Sequence, residues 1–159
     1  MRAQSWTGVV VGSLLLAAGL LSAQAPKEGA GGKDGKQLAG TWRAATYALD
    51  GKEAAAADLK DIRLIIAGGK FKAQNAGQTF LAGTVKTDLD KKPRTMDVTY
   101  TEGDLKGQTS RAIYELDGDT LRICRAAPGK ARPTEFASKP GSGLILMSYQ
   151  RAKPPAEKK

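Results

Sequence analysis

The chain has 159 residues with 25 lysines and arginines against 16 aspartates and glutamates, which gives a formal net charge of +9. This length provides for one domain with a hydrophobic core of its own. The chain has no histidine, which excludes the commonest general base and the commonest transition-metal ligand, and one cysteine, which excludes an internal disulfide.

The N-terminal residues 1–25 have the pattern of an export signal that is removed from the mature protein. Arg2 supplies the positive start, residues 9–21 are apolar apart from glycine and serine, and residues 23–25 (Ala-Gln-Ala) fit the small-x-small pattern of a cleavage site. The 13-residue apolar run is short for a membrane span, which needs about 20 residues. We expect an exported protein, periplasmic or secreted, cleaved near Ala25 and without a transmembrane helix in the mature chain. An uncleaved N-terminal anchor is the alternative.

Two polar segments flank the predicted domain, which spans residues 38–151. Residues 26–37 include four glycines and no large apolar residue, so they bury too little surface to offset their ordering entropy and predict a flexible tether. Residues 152–159 are rich in proline and charge and predict a disordered tail. Because much of the positive charge lies in these segments, we interpret it as favouring solubility and loose attraction to anionic envelope components. We expect a monomer with no nucleic acid partner.

Short stretches of alternating apolar and polar residues predict about eight β-strands within this domain. The clearest alternation is in residues 95–101, where Met96, Val98 and Tyr100 share one face. Residues 53–60 contain four consecutive alanines and predict a short helix that covers a barrel mouth or packs outside. The predicted strands are 42–49, 62–67, 70–74, 79–87, 95–101, 110–116, 121–125 and 143–151.

These strands predict an all-β fold, an antiparallel up-and-down barrel of about eight strands with one short helix. The strands are joined mostly by hairpin-length turns and lack the spacing of strand–helix–strand units, which disfavours a parallel sheet. A strongly twisted sandwich is the alternative. A barrel of eight strands either fills with side chains or holds one small ligand. Small residues predicted to point inward, namely Ala44, Ala48, Ala82 and Ala112, would leave room for a cavity.

Five segments of the domain together resemble a lipocalin-like family of uncharacterised exported bacterial proteins, a domain of unknown function frequent in planctomycetes. The segments are 38–42 (Leu-Ala-Gly-Thr-Trp), 49–52, 91–97, 113–124 and 132–143, and the resemblance extends over residues 38–151. It implies a lipocalin-like barrel outside the cytoplasm. The family has no established activity or catalytic residues, so the resemblance transfers none.

The same resemblance implies a role for the first and last strands in closing the barrel. In lipocalins a Gly-x-Trp pattern begins the first strand, and an arginine near the last strand packs over the indole. Gly40 and Trp42 match that pattern here, and Arg151 is the positional counterpart of the arginine. Trp42 is the only tryptophan of the predicted mature chain and is expected to plug one end of the barrel. The lipocalin disulfide is absent.

A loop at residues 126–142 is the other candidate for function, because long ordered loops in compact domains are often functional. One interpretation is a lip that binds an anion or a partner. The other is structural, with Phe136 packed against the barrel end and Glu135 paired with Arg132 or capping a turn, and this interpretation is preferred. The candidate residues of the loop are Lys130, Arg132, Glu135, Phe136 and Lys139.

Two arginines in predicted strands have two possible orientations. Arg111 and Arg122 either point outward as surface charges or inward, where they would orient an anionic ligand; the outward orientation is preferred. Cys124 lies in an apolar run and is interpreted as buried and inert rather than as a reactive thiol.

The absence of histidine and of a convincing nucleophile argues against an enzyme, and we expect no catalytic residues, metal site or cofactor. The preferred hypothesis is a non-enzymatic extracytoplasmic binding module for a small apolar or amphipathic ligand. The alternative is an envelope-associated protein-interaction or structural module with a filled barrel. An interior void of a few hundred Å³ with an open mouth would favour the first hypothesis.

Overall fold

A computed structural model describes residues 33–153 of the chain. The predicted signal segment, residues 26–32 of the predicted tether and residues 154–159 of the predicted tail lie outside the described residues. Two short helices and nine strands follow one another in the described part. They are α1 (Lys33–Leu38), β1 (Gly40–Leu49), β2 (Lys52–Glu53), α2 (Ala56–Leu59), β3 (Ile62–Ala67), β4 (Lys70–Asn75), β5 (Gln78–Asp88), β6 (Arg94–Glu102), β7 (Thr109–Asp117), β8 (Thr120–Ala126) and β9 (Leu144–Arg151).

The strands form a closed antiparallel barrel. Each strand from β3 to β8 pairs with the next along the chain, and β1 pairs with both β3 and β9, so eight strands close on themselves. The short β2 pairs with the end of β1 and is an extra strand outside this ring. Closure leaves the ring without a free edge, which removes a template for aggregation. The prediction of an all-β, eight-stranded up-and-down barrel is therefore confirmed.

The barrel has two unlike ends. The closed end is the one where β1 begins and β9 finishes, and Trp42 fills it with no exposed surface. The open end is the one where β1 finishes, near α2. The apolar face predicted for residues 95–101 is confirmed, because Met96, Val98 and Tyr100 are all buried in the interior core.

At the closed end, α1 occupies residues for which composition predicted a flexible tether. The helix carries Leu38 into the core at 2% exposure, and the carbonyl of Leu38 accepts a hydrogen bond from the Trp42 indole Nε1 at 2.9 Å. The prediction for residues 33–37 is therefore wrong. Burial of Leu38 and this hydrogen bond supply the stabilisation that the polar sequence of the helix lacks.

At the open end, the helix predicted for residues 53–60 is reduced to the single turn of α2. Residues 52 and 53 instead pair with residues 48 and 49 of β1, across a turn in which Asp50 and Gly51 have φ values of 53° and 79°. A two-turn helix is marginal by itself, so the local strand pairing prevails. Leu59 is the one buried residue of α2 and faces the barrel interior. No helix among residues 33–153 has the length and apolar character needed to cross a membrane.

Candidate functional site

The barrel interior contains a cavity of about 370 Å³ between the core of the closed end and α2. The lining residues Asp58 and Phe80 are exposed, which shows that the cavity reaches the surface at the open end. Phe80 is 47% exposed, the highest value among the three exposed large apolar side chains of the described chain. The walls are mostly apolar and include Leu64, Ile66, Val85, Met96, Val98 and Met147.

Small residues at inward positions help to shape this cavity. Ala44 and Ala73 line it directly. Gly83 is also inward, opposite Tyr100; a Cβ there would lie 2.0 Å from the Thr99 carbonyl oxygen and 2.8 Å from the Phe71 ring. The missing side chain therefore lets the Phe71 ring lie across β5, where it meets the ring of Tyr100 edge-on at 6.0 Å.

Two of the four alanines predicted to point inward do not. The β1–β9 register shifts between Ala44 and Thr46, and beyond this bulge Tyr47 lines the cavity while Ala48 lies opposite Leu146 on the outer face. Ala82 pairs with the exposed Lys72, so it also faces outward. A bulge adds one residue to a strand and reverses the facing of every residue that follows.

Arg125 places a positive charge on the mostly apolar cavity wall. Its Nη1 donates a hydrogen bond to the Tyr100 hydroxyl, and its guanidinium carbon lies 5.8 Å from the centre of that ring. The Nε atom is buried and has no hydrogen-bond partner in the described part of the molecule. No carboxylate within residues 33–153 forms a salt bridge with Arg125. Because arginine stays protonated in proteins, the cavity wall carries an uncompensated cation.

Tyrosine and serine hydroxyls surround this cation. The buried Tyr100 hydroxyl accepts from Arg125 and donates to the Ser110 Oγ at 3.3 Å, and Ser110 is itself 1% exposed. Within residues 33–153, the Tyr149 hydroxyl on the cavity wall donates only to the weakly accepting Met147 sulfur, at 3.2 Å. Burial raises the pKa of Tyr149 to about 12, although the Arg125 cation opposes this shift. The phenol is therefore a neutral hydrogen-bond donor at physiological pH.

Arg125 is not among the predicted site residues, although the sequence contains a signal for its inward position. The alternation that places Leu121 and Ile123 inward continues to residue 125, opposite the inward Ala112. Arg111 and Arg122, for which the sequence allows either orientation, point outward. Arg111 is exposed, and Arg122 pairs with Glu115 at 3.1 Å on the outer surface. The preferred outward orientation is confirmed for both.

The long loop between β8 and β9, residues 127–143, lies along the outside of the barrel. Arg132 fixes it there, since its guanidinium donates to the carbonyls of Met96 and Ala112 at 3.1 and 2.6 Å and to the Asp97 carboxylate at 2.6 Å. Hydrogen bonds from Gly51 N to Ser138 Oγ and from Gly143 N to Asp50 Oδ1 attach it further.

The other loop candidates lie on the outer surface, and their contacts differ from the preferred structural interpretation in two details. Glu135 pairs with Lys139 at 2.6 Å rather than with Arg132. Phe136 packs on the side of the barrel, 4.9 Å beneath the Arg122 guanidinium, and not on the barrel end. Lys130 is exposed. The loop thus places its five candidate residues outside the barrel, away from the cavity.

Beneath this loop the outer face of the sheet is buried. Ile113 and Cys124 lie opposite each other on neighbouring strands, point away from the interior and are nevertheless 1% and 0% exposed. The Cys124 thiol donates to the Ala137 carbonyl at 3.5 Å, and burial raises its pKa. A buried thiol of raised pKa is a poor nucleophile, so the structure agrees with the inert interpretation.

At the closed end, Arg151 packs over Trp42 as the sequence predicted. Its guanidinium carbon lies 4.1 Å from the indole centre, and the two residues are also paired across β1 and β9. The same guanidinium donates to the carbonyls of Ala39 and Gln37 at 2.9 and 2.6 Å. Gly40 has a φ of 134°, and a Cβ there would lie 2.9 Å from Arg151 Nη1, so only glycine fits.

Among residues 33–153, no three histidine, cysteine, aspartate or glutamate side chains come together to form a metal site. The interior cavity with Arg125 is therefore the chemically most distinctive feature of the described chain. Comparison with protein-family models, with curated proteins and with solved structures yields no match for this sequence and fold.

Proposed function

We propose that this protein is a non-enzymatic extracytoplasmic binding module that holds a small apolar or amphipathic molecule inside its barrel. The supporting observation is the cavity of about 370 Å³ that lies within the barrel and opens near α2. Ligand sites in proteins typically have volumes of about 300–1,000 Å³ and apolar walls with a few polar groups. This cavity has that volume and that composition.

The volume sets the size of the molecule that fits. A water molecule occupies about 30 Å³ in the liquid, so 370 Å³ corresponds to roughly a dozen non-hydrogen atoms. A ligand that removes the apolar cavity wall from water gains roughly 25 cal/mol for each Å² buried. The module is therefore suited to a compact, mostly hydrocarbon molecule.

The entrance is formed by weakly held elements. α2 is a single turn whose N-cap, Ala55, makes no side-chain hydrogen bond, and Leu59 is its only buried residue. Phe80, which is half exposed, lines the same cavity. A short segment with few buried contacts opens at low free-energy cost, which supports entry of a ligand at this end.

The alternative function, interaction with the envelope through the loops and a filled barrel, has less support. The barrel interior is not filled, and Arg132 of the long loop is occupied by three hydrogen bonds within the molecule. Export and the lipocalin-like relationship belong to the same proposal and rest on the sequence of the N-terminus and of residues 38–151. The lack of histidine in the chain supports binding without catalysis.

Titration with a small neutral apolar fluorophore, 1-aminonaphthalene, tests this proposal, because the size of this molecule matches the volume of the cavity. We expect saturable binding with enhanced emission in the unaltered protein. Ala44→Phe projects a ring into the cavity and should abolish binding. Ala45→Phe places the same ring on the exposed neighbouring residue and should leave binding intact. Absence of saturable binding, or equal binding by both variants, would refute an interior ligand site.

A further inference from the structure

We propose that the ligand is an anionic amphiphile, a molecule with a single carboxylate-like head that Arg125 binds and a hydrocarbon tail that fills the cavity. This inference rests on the proposed function and adds the chemical class of the ligand. Three features support this inference, namely the unpaired charge of Arg125, the hydroxyl groups near it and the distribution of charge along the mostly apolar cavity walls.

The first feature is the state of the Arg125 guanidinium. Arg125 is partly buried, with its Nε fully buried, and a cation removed from water without a counter-ion is costly. Here the only partner of the guanidinium within residues 33–153 is the neutral Tyr100 hydroxyl, and Nε has none. A carboxylate accepts two parallel hydrogen bonds from the guanidinium fork. An anionic head would thus supply both the missing charge and the missing acceptor.

The second feature is the set of donors near this charge. Tyr149 and Tyr47 line the cavity with Arg125, and the Tyr149 hydroxyl has only a thioether sulfur as acceptor. A phenol donates a stronger hydrogen bond to an anionic oxygen than to a thioether. Because burial raises the pKa of Tyr149 to about 12, its hydroxyl keeps the proton that it would donate.

The third feature is the distribution of charge along the walls. Asp58 is the only acid that lines the cavity within the described chain, and it is exposed, on α2 at the mouth. The second lining cation, Arg63, is already bonded to the carbonyls of Lys60 and Ile62, at 2.7 and 3.0 Å. The remaining wall is apolar, so a ligand with one anionic head matches the charge of Arg125 while its tail contacts Val85 and Met96.

Arg125 has a competing structural explanation, in which its contact with Tyr100 merely stabilises the barrel. The two explanations differ in what an apolar replacement does. If the contact is structural, Arg125→Met lowers the stability of the ligand-free protein. If Arg125 is reserved for a ligand, the variant keeps the fold and its apolar binding but loses the preference for an anion.

Calorimetric titration with decanoate and 1-decanol separates these outcomes, because the probes share a ten-carbon chain and differ in the charge of the head. Charge-assisted hydrogen bonds are worth roughly ten- to a hundredfold in affinity, so the unaltered protein should prefer decanoate by that factor. Arg125→Met should remove the preference and leave decanol binding within about twofold. Arg111→Met, which removes an exposed arginine from the neighbouring strand, should retain it.

The possible results distinguish this inference from the proposed function. Binding of decanol with no preference for decanoate in the unaltered protein would overturn the anionic ligand and leave the binding module standing. Binding of neither probe would overturn both. If Arg125→Met fails to fold, Tyr100→Phe and Arg125→Lys replace it. Both keep the cation, so decanoate should remain preferred, and loss of the preference in both would contradict a direct role of the charge.

Discussion

Removing the Arg151 side chain should destabilise the barrel strongly. Arg151 lies where β1 and β9 meet, stacked 4.1 Å from the centre of the Trp42 indole. It also donates to the carbonyls of Ala39 and Gln37 and so connects the last strand to α1. Arg151→Ala removes all of these contacts together.

The size of the effect follows from the contacts. Stacking on tryptophan contributes about 1 kcal/mol at a partly exposed site, since Arg151 is 29% exposed. Each hydrogen bond from the guanidinium to a carbonyl contributes about 1.5 kcal/mol, part of which water restores once the carbonyls are exposed. The ion pair with Asp119 adds little, because that carboxylate is 70% exposed. We expect a loss of about 3 kcal/mol, or roughly 10–15 °C in the denaturation midpoint of a domain of this size.

Urea and thermal denaturation followed by circular dichroism measure this loss. Arg43→Ala is the matched control. Arg43 is exposed on the same strand as Trp42, and its side chain makes no hydrogen bond or ion pair within residues 33–153. We expect the control to stay within about 0.5 kcal/mol of the unaltered protein. Arg151→Lys keeps the charge without the planar fork and should restore less than half of the loss. An Arg151→Ala variant as stable as the Arg43→Ala control would refute a role in closure.

Three further substitutions test other parts of the structure. Gly83→Ala should cost about 3 kcal/mol of unfolding free energy in urea denaturation, because the added Cβ would clash with the Thr99 carbonyl at 2.0 Å; a near-neutral effect would contradict the close packing. The pKa of Tyr149 is raised from 10.0 to about 12 on folding, so its contribution is fully present below pH 10 and is lost as pH rises towards 12. Roughly 2–3 kcal/mol of stability should disappear over that window, and Tyr149→Phe should remove this part of the slope in melts at pH 9 and 11. Arg125→Met should raise the stability of the ligand-free protein by up to about 1 kcal/mol in thermal denaturation, since it removes a partly buried cation that has no counter-ion and whose Nε has no hydrogen-bond partner within residues 33–153; a clear loss would favour the structural explanation of Arg125.

The strands were predictable because alternation in the sequence reflects a physical requirement of the barrel. Each strand has one face in the core and one in contact with solvent or the outer loop, so apolar residues recur at every second position. The prediction for residues 62–67 matches β3 at both ends, and the strand predicted at 95–101 is one residue shorter at each end than β6. Turn residues such as Gly68 and Gly118, both with positive φ, mark where strands end.

The features that the sequence did not predict depend on contacts between distant residues. Local composition cannot show that α1 is held by Trp42, or that the loop 127–143 turns back along β6 and β7 through Arg132. The bulge near Ala44 changes which residues of β1 face inward, and it leaves no clear signal in the sequence. Arg125 was predictable in principle, because its inward position follows from the same alternation that places Ile123 inward.

The central claim, that a ligand binds inside the barrel, is tested most directly by the methionine methyl groups. The chain has three methionines, and two of them, Met96 and Met147, line the cavity. In protein labelled with methyl-¹³C methionine, addition of 1-decanol should shift both of these resonances, while the amide resonances of the outer loop around Phe136 stay in place. If the loop amides shift and the two methyl resonances do not, the ligand binds outside and the account is contradicted.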